Sequence, residues 1–561
     1  MRLLLAAVLT MTTLLAQDPQ SPPLPPAKTM QVPQRIGILN STSISLKDVI
    51  QRVLANDKDL EVSRILREEA NYNVLSAQGF YDPRIGLLAR RTHSTVPVAS
   101  SLGGAPNGKL INDEWLADPQ LNGLFPSLGG SYKLDFSSSR QTTNNQFATL
   151  SPQFPTSVNL NLTQPLWRGL HYDDNRHRLQ VARRNTRLTN EQFRQRVIEI
   201  TTQAVNAYWE LVYAYHNLDV QVEAVRLAEQ QDASNRRQVA QGLLAPIDVV
   251  QTQTQIATFE QNVFTAQQML TTAENAIKVL MLPDRNDLMW SAALVPQDRA
   301  GDTRLTLPAL DDAMKSALDG RPEIAQSALS MEINQLDTRL SREQAKPQID
   351  AIASLSTTGL AGTQIPSQNN AFASAFGPLI DRLTQLSTLN GLPPLPPISF
   401  GSSQIPPIFL GGYGQSLNSM AGLNYPSATI GIQMSLPIRN RTAKAQAEIS
   451  AAEGRRLKTQ RQQLEMAIQQ DVRNAMQIAA SAQAALDAAV DARRNAEEQY
   501  ASEQRMFQAG TSTVFLVLQR QTALIAARTR EIRAQSDLQE AKNNVDRATA
   551  RTIESLGIAV Q

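Results

Sequence analysis

Cysteine is absent from this sequence, and only four histidines are present. Without thiolates the chain forms no disulfide, no zinc-thiolate or iron–sulfur centre and no acylated cysteine anchor, so its fold rests on packing alone. His93, His171, His177 and His216 never fall four residues apart, the spacing that lets a helix present two imidazoles to one metal. Long apolar runs are missing too. Beyond the first residues nothing approaches the roughly 20 needed for a spanning helix, so residence in a membrane would require strands of a closed barrel. A net charge of +2 leaves no basic footprint for nucleic acid. Aromatic residues make up only 5% of the chain, which suits long exposed helices better than a thick globular core. No phosphate loop, G-x-S-x-G or H-E-x-x-H is present, and GGYGQS (411–416) lacks the strand-to-helix setting of a phosphate cradle. Neither catalysis nor a cofactor is expected.

What is present begins with MRLLLAAVLTMTTLLAQ, one charge followed by a short apolar run ending in small and polar residues. This is the layout of a cleavable export signal, assigned to 1–16. The stretch 17–43 is rich in proline and reads as an extended or disordered tail.

The strongest signal is internal duplication. LKDVIQRVLANDKDLEV from Leu46 matches LDDAMKSALDGRPEIAQ from Leu310, with Asp48 on Asp312, Leu54 on Leu318 and Leu60 on Ile324. Pro83 then meets Pro347, Val158, Leu160 and Leu162 meet Ile430, Ile432 and Met434, and Gly242 meets Gly510. The offsets stay between 264 and 272, so only small insertions separate a first copy over 44–283 from a second over 309–561, joined by a linker at 284–308.

Each copy reads as helix, strand, long loop, strand, very long helix, tight turn and return helix. In VNLNLT (158–163) and SATIGIQMSL (427–436), apolar residues alternate with small or polar ones, giving a strand with one greasy and one wet face. Two such strands per copy are too few for a sheet that closes by itself. From 172 to 241 there is no proline or glycine, and from 441 to 509 only Gly454. At ~1.5 Å per residue each such rod would extend on the order of 100 Å. The return helix of the first copy carries Val249, Ile256, Val263, Leu270 and Ile277 at seven-residue steps, with Phe259, Ala266, Ala273 and Leu280 interleaved. That is a left-handed coiled-coil seam. The second copy keeps the stripe through Val517, Leu524, Leu538 and Val545, interrupted by Glu531. The helix from Leu46 to Gly79 and the return helix together match the length of one rod, a design for a wall of paired helices.

The chain from about 45 to 556 resembles the TolC family of outer-membrane efflux factors. The resemblance rests on the tandem repeat, on AVNAYWELVYA (204–214) and on the turns QGLLAPIDVVQTQ and QAGTSTVFLVLQRQ. It implies an α+β membrane protein: a homotrimer with four strands per chain, hence a twelve-stranded β-barrel in outer-membrane lipid. A long α-helical coiled-coil barrel would continue it across the periplasm. It further implies a passive exit duct in a tripartite efflux or secretion system, docked to a periplasmic adaptor (membrane fusion) protein and, through it, to an inner-membrane pump.

The adaptor-docking turns would be Gly242, Leu243, Gly510 and Thr511; the residues alone read the glycines as helix C-caps. By the same resemblance Asp248 lies near the tunnel constriction, although by itself it reads as an ordinary first-turn helix acid. Where many family members carry aspartates after the second glycine, this chain has Leu516 and Gln519. The expected pore constriction is therefore a mixed ring of Asp248, Leu516 and Gln519. The loops at 93–155 and 357–426 are longer than the family pattern, with a short helix expected at 378–386 and a stiff piece at 393–400. A trimeric coiled-coil scaffold or adhesin without channel activity is the alternative, but it leaves the amphipathic strands and the duplication unexplained.

Overall fold

The computed structural model describes Pro26 and residues 30–99, 105–298, 304–365, 371–393 and 405–558. The expected export signal and the tail up to residue 29, Pro26 excepted, lie outside them. In the first copy the elements are β1 (Asn40–Ile44), α1 (Leu46–Asn56), α2 (Lys58–Gln78), β2 (Arg84–Pro97), β3 (Lys109–Leu124), β4 (Ser131–Thr143), β5 (Leu150–Pro165), α3 (Asp174–Ala240) and α4 (Pro246–Met281). A short strand, β6 (Ala292–Pro296), lies in the linker. The second copy runs α5 (Leu310–Gly320), α6 (Pro322–Gln344), β7 (Gln348–Gln364), α7 (Ala371–Leu389), α8 (Tyr413–Ala421), β8 (Pro426–Ser435), α9 (Arg441–Gln508), α10 (Val514–Ala548) and α11 (Thr552–Ser555).

The chain divides into two compact units, one drawn from 1–68, 188–328 and 459–561, the other from 69–187 and 329–458. In the first, which is helical, every residue of the two seven-residue series on α4 is buried, as are Val517, Leu524, Leu538 and Val545 on α10. Glu531, which breaks the second stripe, is held by an ion pair with Arg493. Ile44, Val49, Val53, Tyr208, Ile277 and Leu294 share one core with α3, which Leu556 and Ile558 flank. The end of the tail is therefore ordered: β1 pairs in parallel with β6 of the linker.

Both copies depart from the expected uninterrupted first helix, and at the same place. Asp57 ends α1 and accepts the Leu60 amide at 2.9 Å, while its equivalent Arg321 ends α5 ahead of Pro322. Both side chains are buried. Arg321 donates to the carbonyl of Ala548 at 3.0 Å and pairs with Asp471.

The second unit holds one antiparallel sheet of six strands in the order β2-β3-β4-β5-β7-β8. This corrects the expectation of four strands per chain, because the segment read as a loop at 93–155 contains the hairpin β3–β4. The register places Ile85, Leu121, Leu134, Leu160, Leu355 and Ala428 in one row across all six strands. Leu162, Ile430, Ile432 and Met434 lie on the same dry face, and Ile85, Ile430 and Ile432 are each more than two-thirds exposed. The opposite face is wet and cross-linked: Arg90 pairs with Glu114, Gln141 donates to Glu114, Gln153 donates to Gln141, Asn159 donates to Asp135 and Ser354 donates to Asn161. The loop at 357–426 is also structured. β7 extends through Gln364, α7 is longer than the expected short helix, and α8 seats on the dry face, with the hydroxyls of Thr156 and Ser416 2.8 Å apart. Most of the proline-rich piece 393–400 lies outside the described residues.

Candidate docking turns and pore residues

The two helix reversals are built alike. After α3, Gly242 takes a φ of +74°, its amide donates to the carbonyl of Val239 at 2.9 Å, and the Leu243 amide donates to Gln238 at 2.9 Å. After α9, Gly510 takes a φ of +77°, with Gly510 donating to Phe507 at 3.0 Å and Thr511 to Met506 at 2.9 Å. This is the Schellman pattern, in which a left-handed residue lets two amides satisfy the last helix carbonyls. The next helices start differently. α4 opens on Pro246, a residue suited to a first turn because it lacks an amide proton. α10 opens on Thr513, whose hydroxyl accepts the Leu516 amide.

Gly242, Leu243, Gly510 and Thr511 are all exposed. Leu244 packs on the apolar cluster of Phe507, Val514, Val517 and Leu518, so the two turns lie against each other.

Beneath the turns lies a polar layer that the sequence reading missed. Gln231 donates to buried Asn235 at 2.7 Å, Asn235 donates to Thr252 at 2.8 Å, and Thr252 donates to the backbone carbonyl of Asp248 at 2.8 Å. In the second copy, Ser512 bonds Glu503, and Arg520 lies 3.9 Å from the same carboxylate. The offset of 268 that relates the glycines also relates Asn235 to Glu503 and Thr252 to Arg520, and was the available signal.

Asp248 and Leu516 sit half-exposed in the first turns of α4 and α10, and Gln519 is exposed. The Asp248 carboxylate forms no ion pair or hydrogen bond among the described residues. A single chain brings the two first turns together but not three carboxylates about an axis. Further along α3 and α10, Glu199, Gln203, Asn206, Glu210, Glu540 and Arg547 line a groove of about 540 Å³. Burial raises the Glu540 carboxyl to about 7; Arg533 lowers it, and Glu210 and Asp537 raise it further. Among the described residues no His, Asp or Glu cluster is arranged to hold a metal, and no helix is long and apolar enough to cross a membrane.

A sheet with one dry and one wet face, together with helix pairs that reverse at matched turns, defines a mixed α and β protein built on two structural repeats. The chain belongs to the outer membrane efflux protein family, whose model matches residues 117–281 and 401–551. The fold is shared by solved structures, of which three are representative. The outer-membrane channel OprN is 13% identical, with 90% of this chain and 89% of that one covered and a TM-score of 0.60. The CmeC outer membrane channel of Campylobacter jejuni is 14% identical, with 94% of each chain covered and a TM-score of 0.59. The outer membrane protein VceC of Vibrio cholerae is 16% identical, with 90% of this chain and 96% of that one covered and a TM-score of 0.57. A search of curated protein sequences finds no significant match.

Proposed function

We propose that the protein is the passive exit duct of a tripartite efflux system, formed by three copies whose sheets close into one barrel in the outer membrane. The observation that carries this reading is the sheet itself: an exposed dry face, a hydrogen-bonded wet face, and two edges, β2 and β8, with no neighbouring strand among the described residues. Unpaired edges are tolerable in lipid only if another strand covers them, and closure removes every edge. With six strands in each chain, three copies would make eighteen rather than twelve, and a wider barrel, since diameter grows with strand number.

The wet face then lines the lumen, and the helical unit continues the passage into the periplasm. Gly242, Leu243, Gly510 and Thr511 meet the periplasmic adaptor, through which an inner-membrane pump supplies the energy. Asp248, Leu516 and Gln519 form the constriction, where three carboxylates about one axis favour cations.

Single-channel conductance of the purified protein in a planar bilayer, with cross-linked mass measured on the same sample, tests the reading. A trimer whose small, cation-preferring conductance rises or loses its preference in Asp248→Ala supports the duct and the carboxylate ring. An unchanged conductance moves the constriction to Leu516 and Gln519. Failure to insert favours the periplasmic scaffold.

A further inference from the structure

The dry face does not stay dry along its whole length. Towards the β2–β3 hairpin, away from the strand ends that join helices, the register sets Arg91 opposite Trp115 and Trp115 opposite Arg140. This row lies six residues beyond the apolar row of Ile85 on the same strand, ~20 Å at the usual rise. The guanidinium of Arg91 sits over the Trp115 ring at 5.0 Å, and Trp115 is half-exposed. Arg140 is exposed, and neither arginine meets a carboxylate among the described residues. The nearest acid on this face, Asp113, is already engaged by His93 at 2.7 Å. On the other side, Ser138 donates to the hydroxyl of Tyr413 at the start of α8 at 3.0 Å, which places a phenol two residues from Arg140 along the dry face of β4.

Two guanidinium groups without a carboxylate partner among the described residues, an exposed indole and a phenol, placed just past an apolar band, are the chemistry that holds a phosphate at a membrane surface. The rings occupy the interfacial girdle of a barrel, and each planar guanidinium can grip phosphate oxygens through two N–H donors. We infer that Arg91, Trp115 and Arg140 form a binding site for a phosphorylated lipid headgroup of the outer leaflet, the bis-phosphorylated glucosamine of lipid A. The site rests on the reading of the dry face as the lipid-facing wall. It accounts for why the cations stand on the outer side of β2–β4 while Arg90, one residue away, is paired on the wet face.

The test is native mass spectrometry of the full-length protein in detergent, titrated with bis-phosphorylated lipid A, with its dephosphorylated form, and with inorganic phosphate. Wild type is expected to retain the phosphorylated lipid selectively. The double variant Arg91→Ala/Arg140→Ala is expected to lose about 25-fold in affinity, since each cation near a charged headgroup contributes roughly fivefold. Arg91→Lys/Arg140→Lys is expected to restore much of the binding, and Arg90→Ala to leave it unchanged. Equal retention of the dephosphorylated lipid, equal binding of free phosphate, or an equal loss in Arg90→Ala overturns the site. If wild type inserts in bilayers and conducts yet shows no lipid selectivity, the site falls while the channel stands. If it does not insert, both fall.

Discussion

Asn235 donates its side-chain amide to the hydroxyl of Thr252 across 2.8 Å, at the place where the second copy sets Glu503 against Arg520. One backbone design thus holds its two helix reversals by different chemistry, a neutral chain in one and an ion pair in the other. Asn235 is wholly buried and also accepts from Gln231, so Asn235→Ala leaves that donor without its partner and removes the donor to Thr252. A loss of about 1–3 kcal/mol is expected from an unsatisfied buried group, read from denaturant unfolding. Glu503→Ala should cost less in high salt than in low salt relative to wild type, because Arg520 is part-exposed and the pair is screened. The absence of any salt dependence would show that Glu503 acts through Ser512 alone.

The long helices and their seam were legible in the sequence because burial there follows one period: Val249 through Ile277 all point into the same interface. The hairpin β3–β4 was not. Its wet-face positions carry Glu114, Gln120, Asn122, Lys133 and Asp135, and Pro119 stands within β3, so the segment has the composition of a loop. A strand with one wet face hides its alternation in this way when its dry positions are mixed, and here they include Asp113, Ala117, Ser138 and Arg140 beside Leu121 and Leu134. The break at Asp57 and Arg321 was written in the sequence as an aspartate three residues ahead of Leu60 and as the Gly320-Arg321-Pro322 triplet. The polar layer under the turns could be seen only through the repeat offset, because no local pattern links residues 235 and 252. The residues proposed for docking, Gly242, Leu243, Gly510 and Thr511, lie on the two helix reversals where the repeat put them, and those proposed for the constriction, Asp248, Leu516 and Gln519, lie in the first two turns of the helices that follow.

Glu540 makes stability depend on pH in a definite direction. Its carboxyl is raised from 4.5 to about 7, chiefly by burial, so the folded state holds the proton more tightly than the unfolded one. The contribution is complete below about pH 4.5 and is lost as pH rises towards 7. The melting temperature of Glu540→Gln, compared with wild type across that window, should lack this downward component. Parallel curves would show that Glu540 titrates alike in both states.

The seat of α8 depends on Gly359. A methyl added there would lie 2.1 Å from the carbonyl oxygen of Ser416 and 2.8 Å from the Thr156 hydroxyl, closer than atoms can approach. Gly359→Ala must therefore push α8 off the sheet, at a cost of about 1–3 kcal/mol typical of overpacking. Gly431→Ala is the control, since its methyl would meet only Ile352 at 3.5 Å. Hydrogen exchange of residues 413–421 should rise in the first variant and not in the second; equal protection in both would mean that the backbone at Gly359 yields instead.

The two faces of β8 give the most direct test of which side meets lipid. Ile432 lies on the dry face and Thr429 on the wet one, three residues apart on the same exposed strand. A lysine replacing Ile432 would stand in hydrocarbon, where a cation costs about 2–4 kcal/mol near the midplane and much less near the interface. A lysine replacing Thr429 would face water in the lumen and should change conductance rather than assembly. Comparing the yield of membrane-inserted protein, Ile432→Lys should fall sharply while Thr429→Lys holds. The reverse order would mean that the lipid-facing and lumen-facing sides of the sheet are exchanged, and it would leave the apolar row from Ile85 to Leu355 in water, where the hydrophobic effect opposes it.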